Sequence, residues 1–190
     1  AVARAVAHAH ARGVIHRDLK PGNILVDAGE PVLTDFGVAR GPEEARVTET
    51  GEMVGTPAYM SPEQLRGEAK EAGPAVDVYA LGAILFELLS GRLPFEGATM
   101  IELSSKALND PAPRLPGYDP DLEAIVRRCL ARAPADRPEA RALAERLERW
   151  APRRRGRAAV PAAILFALAG ASLWAVASPP ATPAGAGPMV

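Results

Sequence analysis

Residues 158–177, AAVPAAILFALAGASLWAVA, run without a single charge and divide this chain of 190 residues. As a helix rising about 1.5 Å per residue, such a stretch spans roughly 30 Å, the thickness of a bilayer's hydrocarbon core. It is expected to be a transmembrane helix, and its position near the C-terminal end excludes a secretory signal. The segment before it, 151–157, is basic through Arg153, Arg154, Arg155 and Arg157. By the positive-inside bias these arginines put residues 1–157 in the cytoplasm and the Pro/Ala/Gly tail 178–190 outside, on a single-pass protein of the cell membrane. The tail is expected to be disordered and is too short for a sensor domain. Residues 1–150 remain for one globular domain. The other apolar run, Val78 to Leu89, is too short to span and contains Glu87, so it reads as a buried core helix.

Within 1–150 the pattern is mainly helical. An alanine-rich helix over 1–12 is stopped by Gly13, and further helices are expected near 75–90, 98–108, 120–132 and 138–150, with Pro138 in a first turn and Asp121 ahead of an apolar-periodic run. Ile24–Val26 and Val32–Thr34 read as two short strands of a hairpin around Asp27-Ala28-Gly29-Glu30. The formal charge of -1 provides no basic field for nucleic acid, so no nucleic-acid partner is expected. Cys129 stands alone, which excludes an intramolecular disulfide framework and a multi-cysteine metal site. It lies on an apolar helix face and is read as core. His8 and His10, near a helix end without metal-ligating neighbours, are read as structural.

Three short segments carry chemistry-bearing residues in a fixed order: His16-Arg17-Asp18-Leu19-Lys20-Pro21-Gly22-Asn23, then Asp35-Phe36-Gly37, then Gly55-Thr56-Pro57-Ala58-Tyr59-Met60-Ser61-Pro62-Glu63. The first matches the catalytic-loop pattern H-R-D-L-x-x-x-N and the second the D-F-G motif. On these segments the sequence resembles the eukaryotic-type (Hanks-type) serine/threonine protein kinases of bacteria. The resemblance covers residues 1–150 as the C-terminal lobe of the kinase fold, helical with a short β-hairpin. Ser61-Pro62-Glu63 departs from the usual A-P-E by one small residue.

The resemblance implies a division of labour. Asp18 would be the catalytic base toward the substrate hydroxyl, and Lys20 the cation that steadies the transferred phosphate and helps hold ATP. Asn23 and Asp35 would supply oxygen ligands for Mg2+, with Mn2+ as a substitute the same donors accept. Arg17 would pair with a phosphorylated activation loop, for which Thr48 and Thr50 are the candidate phosphosites. Thr56 would contact base and lysine in the substrate loop, and with Lys20 it argues for serine/threonine rather than tyrosine acceptors. Glu63 and Arg137 would form a buried ion pair, and Asp77 would anchor the catalytic-loop backbone; these last three are structural.

No G-x-G-x-x-G occurs, and nothing before residue 16 could hold a sheet, so the kinase N-lobe is expected to be absent from this chain. The expectation is a fragment of a membrane-anchored kinase, inactive in isolation, acting as a whole on serine and threonine of protein substrates with ATP. A membrane-tethered pseudokinase-like binding module is the alternative, disfavoured because Asp18, Lys20, Asn23 and Asp35 are all kept. A small-molecule phosphotransferase of related fold is disfavoured by the peptide-docking segment 55–63. Ala163, Ala167, Ala171 and Ala175 fall at small-xxx-small spacing; an alanine-rich helix produces such stripes freely, so a homodimer through the membrane helix is left open.

Overall fold

The computed structural model describes residues 1–36, 57–68 and 73–150. Thr48, Thr50, Thr56, Gly37 and the apolar stretch 158–177 lie outside them. Among the described residues no helix is long and apolar enough to cross a membrane.

The described residues form six α-helices and one two-stranded sheet. Helix α1 runs over Val2–His10, β1 over Ile24–Asp27, β2 over Glu30–Leu33, α2 over Pro62–Leu65 and α3 over Ala75–Ser90. Helices α4, α5 and α6 follow over Met100–Asn109, Pro120–Cys129 and Ala140–Trp150. This is the mainly helical, kinase-like architecture expected from the sequence.

Helix α3 is the centre. Every residue from Val76 to Phe86 is buried, so this helix needs no polar face. It packs against α5, while α1 packs against α6. Helix α5 buries Leu122, Ile125, Val126 and Cys129, an i, i+3, i+4, i+7 stripe that lays one face on α3. The close approach of the two helices depends on Gly82. A Cβ there would lie 2.5 Å from Cys129 Cβ, a distance no packed pair tolerates. Burial pushes the Cys129 thiol up to about 12, in keeping with a packing residue that carries no thiolate chemistry.

Several boundaries differ from the sequence reading, α5 among them, which ends at Cys129 rather than near 132. The hairpin is tighter: Asp27 pairs with Glu30, and Ala28 and Gly29 alone make the turn, both at positive φ (49° and 86°). That is the two-residue geometry whose twist matches the strands, and here an alanine occupies a position usually given to Asn or Gly. Pro138 stands ahead of α6 rather than inside its first turn; Glu139 accepts the Leu143 N–H, and the helix begins at Ala140. At α5 the cap is Asp119, whose Oδ1 accepts the N–H groups of Asp121 and Leu122.

Candidate active site

Gly13, at φ 74°, turns the chain out of α1 and into the segment 14–23. That segment has little regular structure, so its backbone must be held by side chains. Asp77, on the first turn of α3 and 1% exposed, does most of this. Its Oδ2 accepts the His16 N–H at 2.8 Å and its Oδ1 accepts the Arg17 N–H at 2.8 Å. His10 on α1 donates Nε2–H to Asp77 Oδ2 at 2.7 Å. A buried carboxylate is tolerated only with such partners, and these three tie α1, the loop and α3 together.

His16 is buried and fixes the next segment. Its Nε2 donates to the Thr34 carbonyl at 2.9 Å, which leaves Nδ1 to accept the Asp18 N–H at 3.4 Å. The His16 ring also packs on Phe36, with centroids 4.9 Å apart. Residues 34–36 are thereby held against the loop that carries Asp18.

Asp18, Lys20 and Asn23 come together. Lys20 Nζ lies 3.0 Å from Asp18 Oδ2, and Asn23 Nδ2 donates to the Asp18 carbonyl at 2.7 Å and to Asp18 Oδ2 at 3.3 Å. Asn23 is nearly buried, and its nitrogen faces oxygens that can only accept. The amide orientation is therefore set by chemistry, and its carbonyl oxygen is the end able to ligate a cation. The hairpin brings the second oxygen donor near. Pairing of Ile24 with Leu33 puts Asn23 opposite Thr34, whose N–H it accepts at 3.0 Å, and Asp35 is the next residue along. Asp35 sits at φ 54°, a strained setting for a non-glycine residue. An amide oxygen and a carboxylate are the hard donors that Mg2+ selects, so the donor set fits that ion. The cross-strand partners Leu25 and Val32 are 49% and 44% exposed and leave an apolar pair on the hairpin that carries Asn23 and Asp35 at its ends.

The 57–68 segment is moored from beneath. Glu63 and Arg137 form a buried bidentate pair, Nη1–Oε1 2.5 Å and Nη2–Oε2 2.8 Å. Arg137 also donates to the carbonyls of Ala131, Ala75 and Arg132 and lies 5.0 Å over the Tyr79 ring. All five guanidinium N–H groups are thus used. Tyr59 donates to Glu87 Oε2 at 2.6 Å, joining the segment to α3. Burial first, and then the Glu87 carboxylate, hold the Tyr59 phenol well above its ordinary range.

Four features escaped the sequence reading: the His10–Asp77 bond, the Tyr59–Glu87 bond, the exposed Leu25–Val32 pair, and a bond from Gln64 to the Arg17 carbonyl. None of them left a local trace; Ser61-Pro62-Glu63-Gln64 is a capping-box pattern, but that pattern marks only the oxygen end of Gln64.

A buried carboxylate anchor, a looped Asp-x-Lys-x-x-Asn cluster and a hairpin presenting a second carboxylate follow the motif order of the protein kinase class. Comparison with known proteins agrees: residues 1–147 match the protein kinase domain, and the chain belongs to that family. Serine/threonine-protein kinase PkaA of Streptomyces coelicolor is 46% identical over 151 residues, covering 77% of this chain and 27% of PkaA. Serine/threonine-protein kinase PknA of Mycobacterium tuberculosis is 42% identical over 136 residues, 70% of this chain and 31% of PknA. PknL of the same organism is 42% identical over 137 residues, 70% of this chain and 34% of PknL. The chain thus spans about a third or less of the length of these relatives.

Proposed function

We propose that this chain is the catalytic-loop lobe of a membrane-anchored bacterial serine/threonine protein kinase, which as a full-length protein transfers the γ-phosphate of ATP to serine and threonine hydroxyls of proteins. The observation that carries the reading is Asp18, whose Oδ2 receives both Lys20 Nζ at 3.0 Å and Asn23 Nδ2 at 3.3 Å. Asn23 also grips the Asp18 carbonyl, so the carboxylate is aimed from its own backbone and needs little reorganisation when an acceptor arrives. Asp18 accepts the proton of the incoming hydroxyl as the new P–O bond forms. Lys20, already within reach of that carboxylate, places positive charge where negative charge gathers on the transferred group. Asn23 and Asp35 are the residues that would hold Mg2+ (or Mn2+), which when bound neutralises phosphate charge. The apolar pair Leu25 and Val32 offers a surface for the flat base of the nucleotide.

The finer reading extends this. Thr48 and Thr50 are assigned as activation-loop phosphosites that meet Arg17, and Thr56 as the substrate-loop threonine. Residues 158–177 span the membrane with 1–157 cytoplasmic and 178–190 outside, in contact with lipid. The elements that cover the phosphates belong to the rest of the full-length protein, a reading supported by the small share of each relative that this chain covers.

The full-length protein, purified in detergent, is expected to transfer labelled γ-phosphate to a serine/threonine protein acceptor only with Mg2+ or Mn2+ present. Transfer to tyrosine alone, or none in any divalent salt, would remove the assignment. For the topology, a C-terminal reporter that is active only after translocation is expected to light up; activity solely of a cytoplasmic reporter reverses it.

A further inference from the structure

We propose that Gln64 is a positioning residue for phosphoryl transfer, acting by clamping the peptide bond that carries Asp18; this rests on the reading of Asp18 as the base. Gln64 has two jobs at its two ends. Its Oε1 accepts the Ser61 N–H at 3.1 Å and lies 3.1 Å from Ser61 Oγ, closing the capping box of α2. Its Nε2 donates to the Arg17 carbonyl at 2.7 Å, forty-seven positions away in sequence. The cap alone would need only the oxygen, and a glutamate serves that purpose equally well. The amide nitrogen is what the cap does not explain.

The residue it grips is strained. Arg17 sits at φ 65°, in the left-handed region, which is costly for a non-glycine residue and persists only when neighbours over-determine it. Asp77 holds the Arg17 N–H and Gln64 holds its carbonyl, so both backbone polar groups of Arg17 are fixed from different helices. The Arg17 carbonyl and the Asp18 N–H share one planar peptide unit and point oppositely. Gln64 therefore holds one edge of that plane while His16 Nδ1, 3.4 Å from the Asp18 nitrogen, meets the other. Rotation of this plane about the Arg17 Cα–C bond would swing the Asp18 Cα and with it the carboxylate. Because Gln64 belongs to the 57–68 segment, the clamp also links the seating of that segment to the aim of the base.

Two substitutions separate clamp from cap in the full-length kinase. Gln64→Glu keeps the acceptor for Ser61 and loses the donor to Arg17, setting oxygen against oxygen. Gln64→Lys keeps a donor within reach of Arg17 and loses the acceptor for Ser61. Loss of this hydrogen bond predicts a single-turnover transfer rate about five- to tenfold lower in Gln64→Glu, with the KM for ATP unchanged and the unfolding midpoint lowered no further than in Gln64→Lys. Gln64→Lys is expected to retain the larger share of the rate while unfolding at lower denaturant. An undiminished rate in Gln64→Glu, or rates in both variants that simply follow stability, overturns the clamp while leaving Asp18 as the base. Transfer that is indifferent to Asp18→Asn in the unsubstituted background overturns the underlying reading and this proposal together.

Discussion

In the full-length kinase, Asp18→Asn is expected to lower the transfer rate at saturating ATP by about 10²–10⁴-fold, the usual worth of a positioned general base, with nucleotide affinity changed about twofold or less. The substitution is nearly isosteric. Lys20 and the Asn23–Asp18 carbonyl bond can remain, so the loop has little reason to rearrange. What goes is the capacity to take a proton from the acceptor hydroxyl. Asp35→Asn provides the contrast. Asp35 follows the hairpin residue that bonds Asn23 and is assigned to the metal, so its loss weakens metal-dependent nucleotide binding as well as rate. Rapid-quench transfer measured beside fluorescent-nucleotide binding, across a Mg2+ series, reads both quantities. If the two variants lose rate equally and neither alters the Mg2+ dependence of binding, the separate roles of Asp18 and Asp35 are wrong.

The local part of this site was legible in the sequence because its chemistry is local. Asp18, Lys20 and Asn23 lie within six positions, so one short loop ahead of a strand carries all three, even though distant residues hold its backbone. The hairpin was legible from its turn composition, but its register was not, because Ala28 carries no signal for positive φ. The supports of the loop were harder. His16 and Asp77 are sixty-one positions apart, and Asp77 opens a helix that buries nearly every residue, where periodicity has no polar face to mark. Only a family resemblance pointed to it. His10 and Tyr59 gave no pattern either, since their partners sit on elements whose packing no local rule specifies. Gln64 shows the same division within one side chain: its capping oxygen follows a readable motif, and its clamping nitrogen does not.

The largest effect on stability is expected at Glu63 and Arg137, and it should carry a particular pH signature. Glu63→Ala leaves a guanidinium with no side-chain exposure facing no carboxylate, a change that costs about 3–5 kcal/mol. Since domains are stable by only about 5–15 kcal/mol, that loss brings the lobe close to unfolding. Arg137→Lys should be nearly as harmful, because an ammonium cannot serve two carboxylate oxygens and three carbonyls in one plane. The double replacement Glu63→Leu with Arg137→Met removes the stranded charge but leaves the carbonyls of Ala75, Ala131 and Arg132 without their donor. It should therefore recover only part of the loss, unlike ion pairs that bond to nothing else. Burial pushes the Glu63 carboxyl up, but the Arg137 guanidinium, the Glu63 backbone N–H and Ser61 outweigh it and hold the group below its ordinary value. A carboxyl depressed by folding contributes stability that is full above its unfolded pKa of about 4.3 and is lost as pH falls through the lower folded value. Denaturant midpoints of the unsubstituted protein should therefore drop on acidification below about pH 4.3, with this component missing from Glu63→Gln, which has no proton to take up. Parallel acid limbs in the two proteins would show that the pair contributes no proton linkage. A midpoint for Glu63→Ala equal to that of the unsubstituted protein at neutral pH would show that this ion pair does not moor the 57–68 segment to the helical core.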